Sequence, residues 1–146
     1  MNITRDISKG QLAILTFMQG DVAASQTDVQ ITLAETIGAS AAHSTLAVED
    51  YVAPFDFEVV AIAGTVSAAS TAGSLTVGAT INGTEDADST TTVTTATEFR
   101  TKIQRGAMRG VAGDNIGVEI TTTAAWTPAT ADLAVQVYVL FALEGI

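Results

Sequence analysis

One histidine, sixteen carboxylates and no cysteine set the chemistry this chain can attempt. Zinc sites are built from thiolate and imidazole, so a chain that offers only His43 lacks the usual nitrogen and sulfur ligands. His43 stands among small residues, Ala41-Ala42-His43-Ser44, a composition that reads as an exposed loop. Ser44 lies beside it and acids are plentiful, but no nucleophile-elbow sequence accompanies them.

The acids offer two further possibilities. Glu85, Asp86 and Asp88 are hard oxygen donors of the kind that suit calcium, yet the spacing lacks the glycine and terminal glutamate of an EF-hand loop. A solvated hairpin tip is the expected reading. The pairs Glu49-Asp50 and Asp56/Glu58 have the residue types that glycosidases use. With one Trp and two Tyr, however, little is available to stack a sugar. Gly106, Gly110, Gly113 and Gly117 are not followed by the Lys-Ser/Thr ending of a phosphate-binding loop. The expectation is therefore a protein that is not an enzyme and has no metal and no cofactor.

The bases are distributed unevenly. Arg100, Lys102, Arg105 and Arg109 are four of the six, and none occurs between Gln11 and Phe99. They either neutralise nearby acids such as Glu98 and Asp114, or form a strip that docks on an acidic partner or a neighbouring acidic subunit. With Arg5 and Lys9 of the N-terminal arm they are the candidate partner contacts. A net charge of −10 repels polyanions, so neither nucleic acid nor an anionic membrane is an expected partner.

The elements that must position these residues are strands. Ala, Thr, Val and Gly dominate, and no amphipathic helix of ten residues or more can be found. Val29, Ile31 and Leu33 alternate with polar residues, as do Leu75, Val77, Ala79 and Ile81. Ile116, Val118 and Ile120 do the same, and Leu133, Val135, Val137, Val139 and Phe141 make the strongest alternation. Asn82-Gly83 marks a tight hairpin. The pattern predicts an all-β, antiparallel sandwich of about seven to nine strands. Residues 1–10 form a short polar arm and residues 11–146 one domain of ordinary size. No cleaved leader is expected, and the apolar run Leu133–Leu143 is too short to span a bilayer as a helix. Phe17, Phe55 and Trp126 are the expected anchors of any binding surface.

One stretch carries a family likeness. Val111-Ala112-Gly113-Asp114-Asn115-Ile116-Gly117-Val118-Glu119-Ile120-Thr121-Thr122 leads through Trp126-Thr127-Pro128-Ala129-Thr130-Ala131-Asp132-Leu133 into the last strand. It resembles the end of a phage structural jelly roll, an ending also found in trimeric tumour-necrosis-factor-like heads. Ala53-Pro54-Phe55, Val59–Val66 and Gly73–Gly83 resemble the central hairpin of the same proteins. The likeness, over roughly residues 50–146, is to tailed-bacteriophage capsid decoration (cement) proteins with a jelly-roll-like sandwich. It implies a homotrimer on the outer capsid surface of the virion, made in the host cytoplasm. Its partners would be the major capsid protein and further copies of itself. A receptor- or glycan-binding head of a phage fibre or spike is the alternative, and the family supplies no catalytic motif to transfer.

Overall fold

A computed structural model describes residues 10–33 and 48–143. The strands are β1 (Gln11–Gln19), β2 (Val29–Gln30), β3 (Thr32–Leu33), β4 (Tyr51–Val52), β5 (Phe57–Val66) and β6 (Leu75–Ile81). They continue with β7 (Thr84–Glu85), β8 (Thr91–Val93), β9 (Glu98–Lys102), β10 (Arg109–Gly110), β11 (Asn115–Thr122) and β12 (Leu133–Phe141). The helical content of the described residues is one 3₁₀ turn, Ala87–Ser89. Its Asp86 cap accepts a hydrogen bond from the Asp88 amide at 2.8 Å.

All strand pairs are antiparallel and fall into two sheets. In the first, β3, β1, β12 and β5 lie in that order, and β9 and β10 share the far side of β5. In the second, β2 and β4 share one side of β11, β6 lies on the other, and β7 and β8 share the far side of β6. The inner faces meet in one apolar core. Leu133, Val135, Val137 and Val139 of β12 pack with Ile116, Val118 and Ile120 of β11 and Leu75, Val77 and Ala79 of β6, among other side chains. This is the β-sandwich that the alternation predicts; the strand order does not by itself establish a jelly roll.

The described residues hold twelve strands, more than the expected seven to nine, in part because runs that read as one strand divide between the two sheets. The run Asp28–Leu33 looks like one strand. Instead β2 pairs with β11 in the second sheet and β3 pairs with β1 in the first. Ile31, 2% exposed, sits at the crossing, and its amide donates to the Val118 carbonyl at 2.9 Å. In β5 the register against β12 slips between Val139↔Val59 and Tyr138↔Ala61, so Val60 is an extra residue. The bulge lets Phe57 and Val59 before it, and Ile62 and Val66 after it, all reach the core. Asn82 and Gly83 have φ of 52° and 75°, the mirror-image turn that joins β6 to β7.

The expected anchors are mostly not on the surface. Phe17 is fully buried and Trp126 is 3% exposed, with its indole N–H donating to the Val22 carbonyl at 3.0 Å. Phe55 packs against the core and meets the Phe141 ring edge-on. Large aromatic side chains are the most effective fillers between two sheets, and this chain has few. Two of the three are therefore consumed inside.

Candidate protein-contact surface

Because β12 buries its odd-numbered residues, its even-numbered ones face outward, and strand register carries that face across the first sheet. Ile14, Tyr138, Ala61 and Lys102 are successive partners across β1, β12, β5 and β9. Thr16, Gln136, Ala63 and Arg100 make the next row, and Leu12 and Leu140 pair beyond Ile14. Leu12 and Ile14 are 51% and 54% exposed, on a stretch of β1 that pairs with β12 on one side and lies beyond the reach of β3, which meets β1 at Phe17 and Met18. Arg100 and Lys102 are exposed as well. The outer face of the first sheet therefore carries an apolar side over β1 and β12, small residues over β5, and Arg100 and Lys102 beside the acid Glu98 over β9.

The remaining two bases of the strip act differently. Arg105 reaches Glu58, whose side chain is fully buried, with Nε 3.0 Å from Oε1. The Gly106 amide donates to the same oxygen, while Glu58 Oε2 accepts no hydrogen bond among the described residues. Arg109 is the strand partner of Glu58, and its guanidinium lies against Gly106. The local neutralisation expected at Glu98 and Asp114 is thus directed to Glu58 instead. Asp114 is held by the Asn82 side-chain amide and the Val111 N–H, both at 2.9 Å, which together keep its carboxyl below the usual range. Glu98 stays exposed at the end of β9. Arg5, Lys9 and His43 lie outside the described residues.

The outer face of the second sheet has the opposite sign. Glu119 lies between Gln30 of β2 and Gly78 of β6, and its Oε2 accepts from Gln30 Nε2 at 3.0 Å. The Glu85 carboxyl folds over Gly78, where a β-carbon would collide with it. Asp50 occupies the matching space over Gly117, and Asp28 lies at the start of β2. Desolvation, then Glu85, then Asp28 push the Glu119 carboxyl above its usual range, against the pull of the Gln30 hydrogen bond. Exposed Val52 borders this face at the β4 edge.

Two of the other acids noted as possible ligands have structural tasks. Asp56 accepts the Ala112 amide at 3.0 Å, and Glu85 Oε1 accepts the Thr90 hydroxyl at 3.1 Å. Among the described residues no three acidic or histidine side chains converge as a metal would require. Sequence reasoning found the bases of the first sheet but not its apolar neighbours, nor the acidic face of the second. A signal existed in β1, where Leu12-Ala13-Ile14-Leu15 is apolar at both parities and so must offer one apolar side outward. No family model and no curated protein matches this chain.

Proposed function

We propose that this chain is a virion structural protein that decorates and stabilises the outer surface of a phage capsid, binding across neighbouring capsid subunits as a trimer. The observation that carries the reading beyond resemblance is the outer face of the first sheet. Exposed Leu12 and Ile14 continue into Tyr138 and Leu140 and end at Arg100 and Lys102, a surface composed for another protein subunit. The phage-like string falls on β11 and β12, the strands at the interior of the two sheets. Many modest contacts repeated by symmetry suit a decoration protein, since the second and third engagements of a trimer are effectively intramolecular. The role is structural and needs no catalytic group.

The test is co-sedimentation of the purified full chain with empty shells of the virus that encodes it, followed by imaging of the decorated particle. Saturable binding at three-fold positions, with shells that withstand higher temperature when decorated, is the expected result. Binding to host cells or glycans with no affinity for shells overturns it in favour of a fibre or spike head.

A further inference from the structure

Among the described residues, the sheet edges are blunted against pairing with another chain, with one exception. β2, β3, β4, β7 and β10 are two residues long and β8 is three. β9 carries Glu98, Arg100 and Lys102 on its exposed positions. Short strands and charged side chains are the usual protection of an open edge. β1 has neither. β3 covers it only at Phe17 and Met18, so among the described residues no strand pairs with the far side of residues 11–16. That stretch, Gln11-Leu12-Ala13-Ile14-Leu15-Thr16, holds no charge and no proline, and its register against β12 runs without a bulge.

The backbone there turns its polar groups outward at the positions whose side chains are exposed. The Met18 carbonyl accepts the Thr32 hydroxyl at 2.8 Å, so Met18 directs its main-chain groups towards β3. In an antiparallel strand the N–H and C=O of one residue point to the same side, and successive residues alternate. Leu12, Ile14 and Thr16 share the parity of Met18 and offer these groups at the open edge. Leu12 and Ile14 are more than half exposed, and Ala13 and Leu15 stay only partly buried although they pack on the core.

We propose that this edge pairs with the same edge of a second copy, antiparallel, about a two-fold axis at Ala13. β3 sets the register, because it blocks the edge from Phe17 onward in both copies. The longest overlap of the two β1 strands that clears it puts Gln11 opposite Leu15, Leu12 opposite Ile14, and Ala13 opposite Ala13 of the second copy. Leu12 and Ile14 then exchange main-chain hydrogen bonds across the axis, and their side chains meet as two aliphatic cross-strand pairs. The contact is isologous, so it closes at two copies. Charge favours this edge, since chains of net charge −10 repel one another and β1 has no charged side chain from Gln11 to Gln19. At ~3.3 Å per residue and ~10 Å across the packed layers, the strip covers roughly 200 Å² per copy, in the class of weak, transient contacts. Such a contact is populated where copies already stand side by side, at effective concentrations on the order of millimolar. That clause alone rests on the capsid reading.

The experiment uses the purified full chain with no shell present, so that this inference and the capsid reading fail separately. The chain has no cysteine, so Ala13→Cys introduces a single thiol. In this register the two thiols face each other across a non-hydrogen-bonded pair, with α-carbons about 4.5 Å apart, within disulfide reach. Mild oxidation should give a covalent dimer. Gln11→Cys puts the thiol on a more exposed residue, but its counterpart lies about 13 Å away. It should give about tenfold less dimer under the same conditions, and mixing it with Leu15→Cys should restore the yield. In the wild type, the amide resonances of Leu12, Ile14 and Thr16 should shift as concentration rises from about 10 μM to about 1 mM. Added salt should enlarge the shifts, because it screens the repulsion between copies. Ile14→Lys should abolish them by placing a charge on the edge, and circular dichroism confirms that each variant is folded. Equal dimer yields from Ala13→Cys and Gln11→Cys overturn the inference, as do wild-type amides that do not move. Amides that are protected from exchange at every concentration also overturn it, because the chain's own residues 1–9 or 34–47 then cover the edge.

Discussion

Replacing Arg105 with alanine removes the guanidinium that pairs, at 3.0 Å, with the fully buried Glu58 carboxylate. The Gly106 amide remains but does not neutralise the charge. A loss of about 1–3 kcal/mol in chemical denaturation is expected, with Arg105→Lys recovering only part because a lysine cannot reproduce the Nε contact. Glu119 and Asp114 respond to pH in opposite directions. The Glu119 carboxyl is raised by desolvation and by Glu85 and Asp28, so its favourable contribution is complete below the ordinary carboxylate range and is lost as pH rises through its folded value. Glu119→Gln should therefore stabilise the fold at neutral pH by roughly 0.5–1 kcal/mol, and the gain should shrink on acidification. Asp114 is lowered by Asn82 and the Val111 amide, so its contribution is present above the ordinary range and is lost as pH falls through its folded value. Asp114→Asn should be destabilised at neutral pH and converge on the wild type in acid; denaturant midpoints across pH measure both.

Elements are pinned by a few backbone positions. In the β6–β7 hairpin Gly83 has φ of 75° with open space around it, so Gly83→Ala tests backbone conformation alone and should cost about 1 kcal/mol. Gly64 in β5 is a different case, for a β-carbon there would run into the Phe99 ring and the Ala134 carbonyl. Gly64→Ala must push β9 away from β5 and should cost more, in the range of about 1–3 kcal/mol that overpacking brings. Thermal denaturation of the two variants side by side separates the effects. β9 is the strand that carries Arg100 and Lys102, so Gly64→Ala should also disturb the basic side of the outer face more than Gly83→Ala does. At this scale much was legible. Asn82-Gly83 announces its turn through residue chemistry alone, and the alternation of β12 announces its buried face. The Val60 bulge was not legible, because Val59 and Val60 are equally apolar and nothing local says which one is extra.

For the whole molecule, the single Trp reports on cooperativity. Trp126 is buried and tied to Val22, joining the segment before β12 to the segment after β1. Its fluorescence should shift to the red on unfolding, in one transition that coincides with loss of the far-ultraviolet β signal, as expected of one cooperative domain. Two separated transitions would mean that the sheets unfold independently. Non-local pairing dominates this topology. β1 pairs along its whole length with β12 from the other end of the described chain, so neither strand is held until both ends have met.

The sequence by itself determined the class of fold and the sign of the surface. Period-two alternation fixes which side of a strand is buried, and sixteen acids against six bases fix a net charge of −10, wherever the residues end up. It also showed the cluster from Arg100 to Arg109 as a run of letters. Only the tertiary structure divided that cluster, placing Arg100 and Lys102 on an outer face, and Arg105 over buried Glu58 from forty-seven residues away. Only it set Leu12 and Ile14 beside Tyr138 and Leu140, and gathered Asp28, Asp50, Glu85 and Glu119 on the opposite side. The physical reason is that facing depends on parity within a strand, which is local. Neighbourhood across a sheet depends on which distant strands pair, and that is decided by the closure of the whole core.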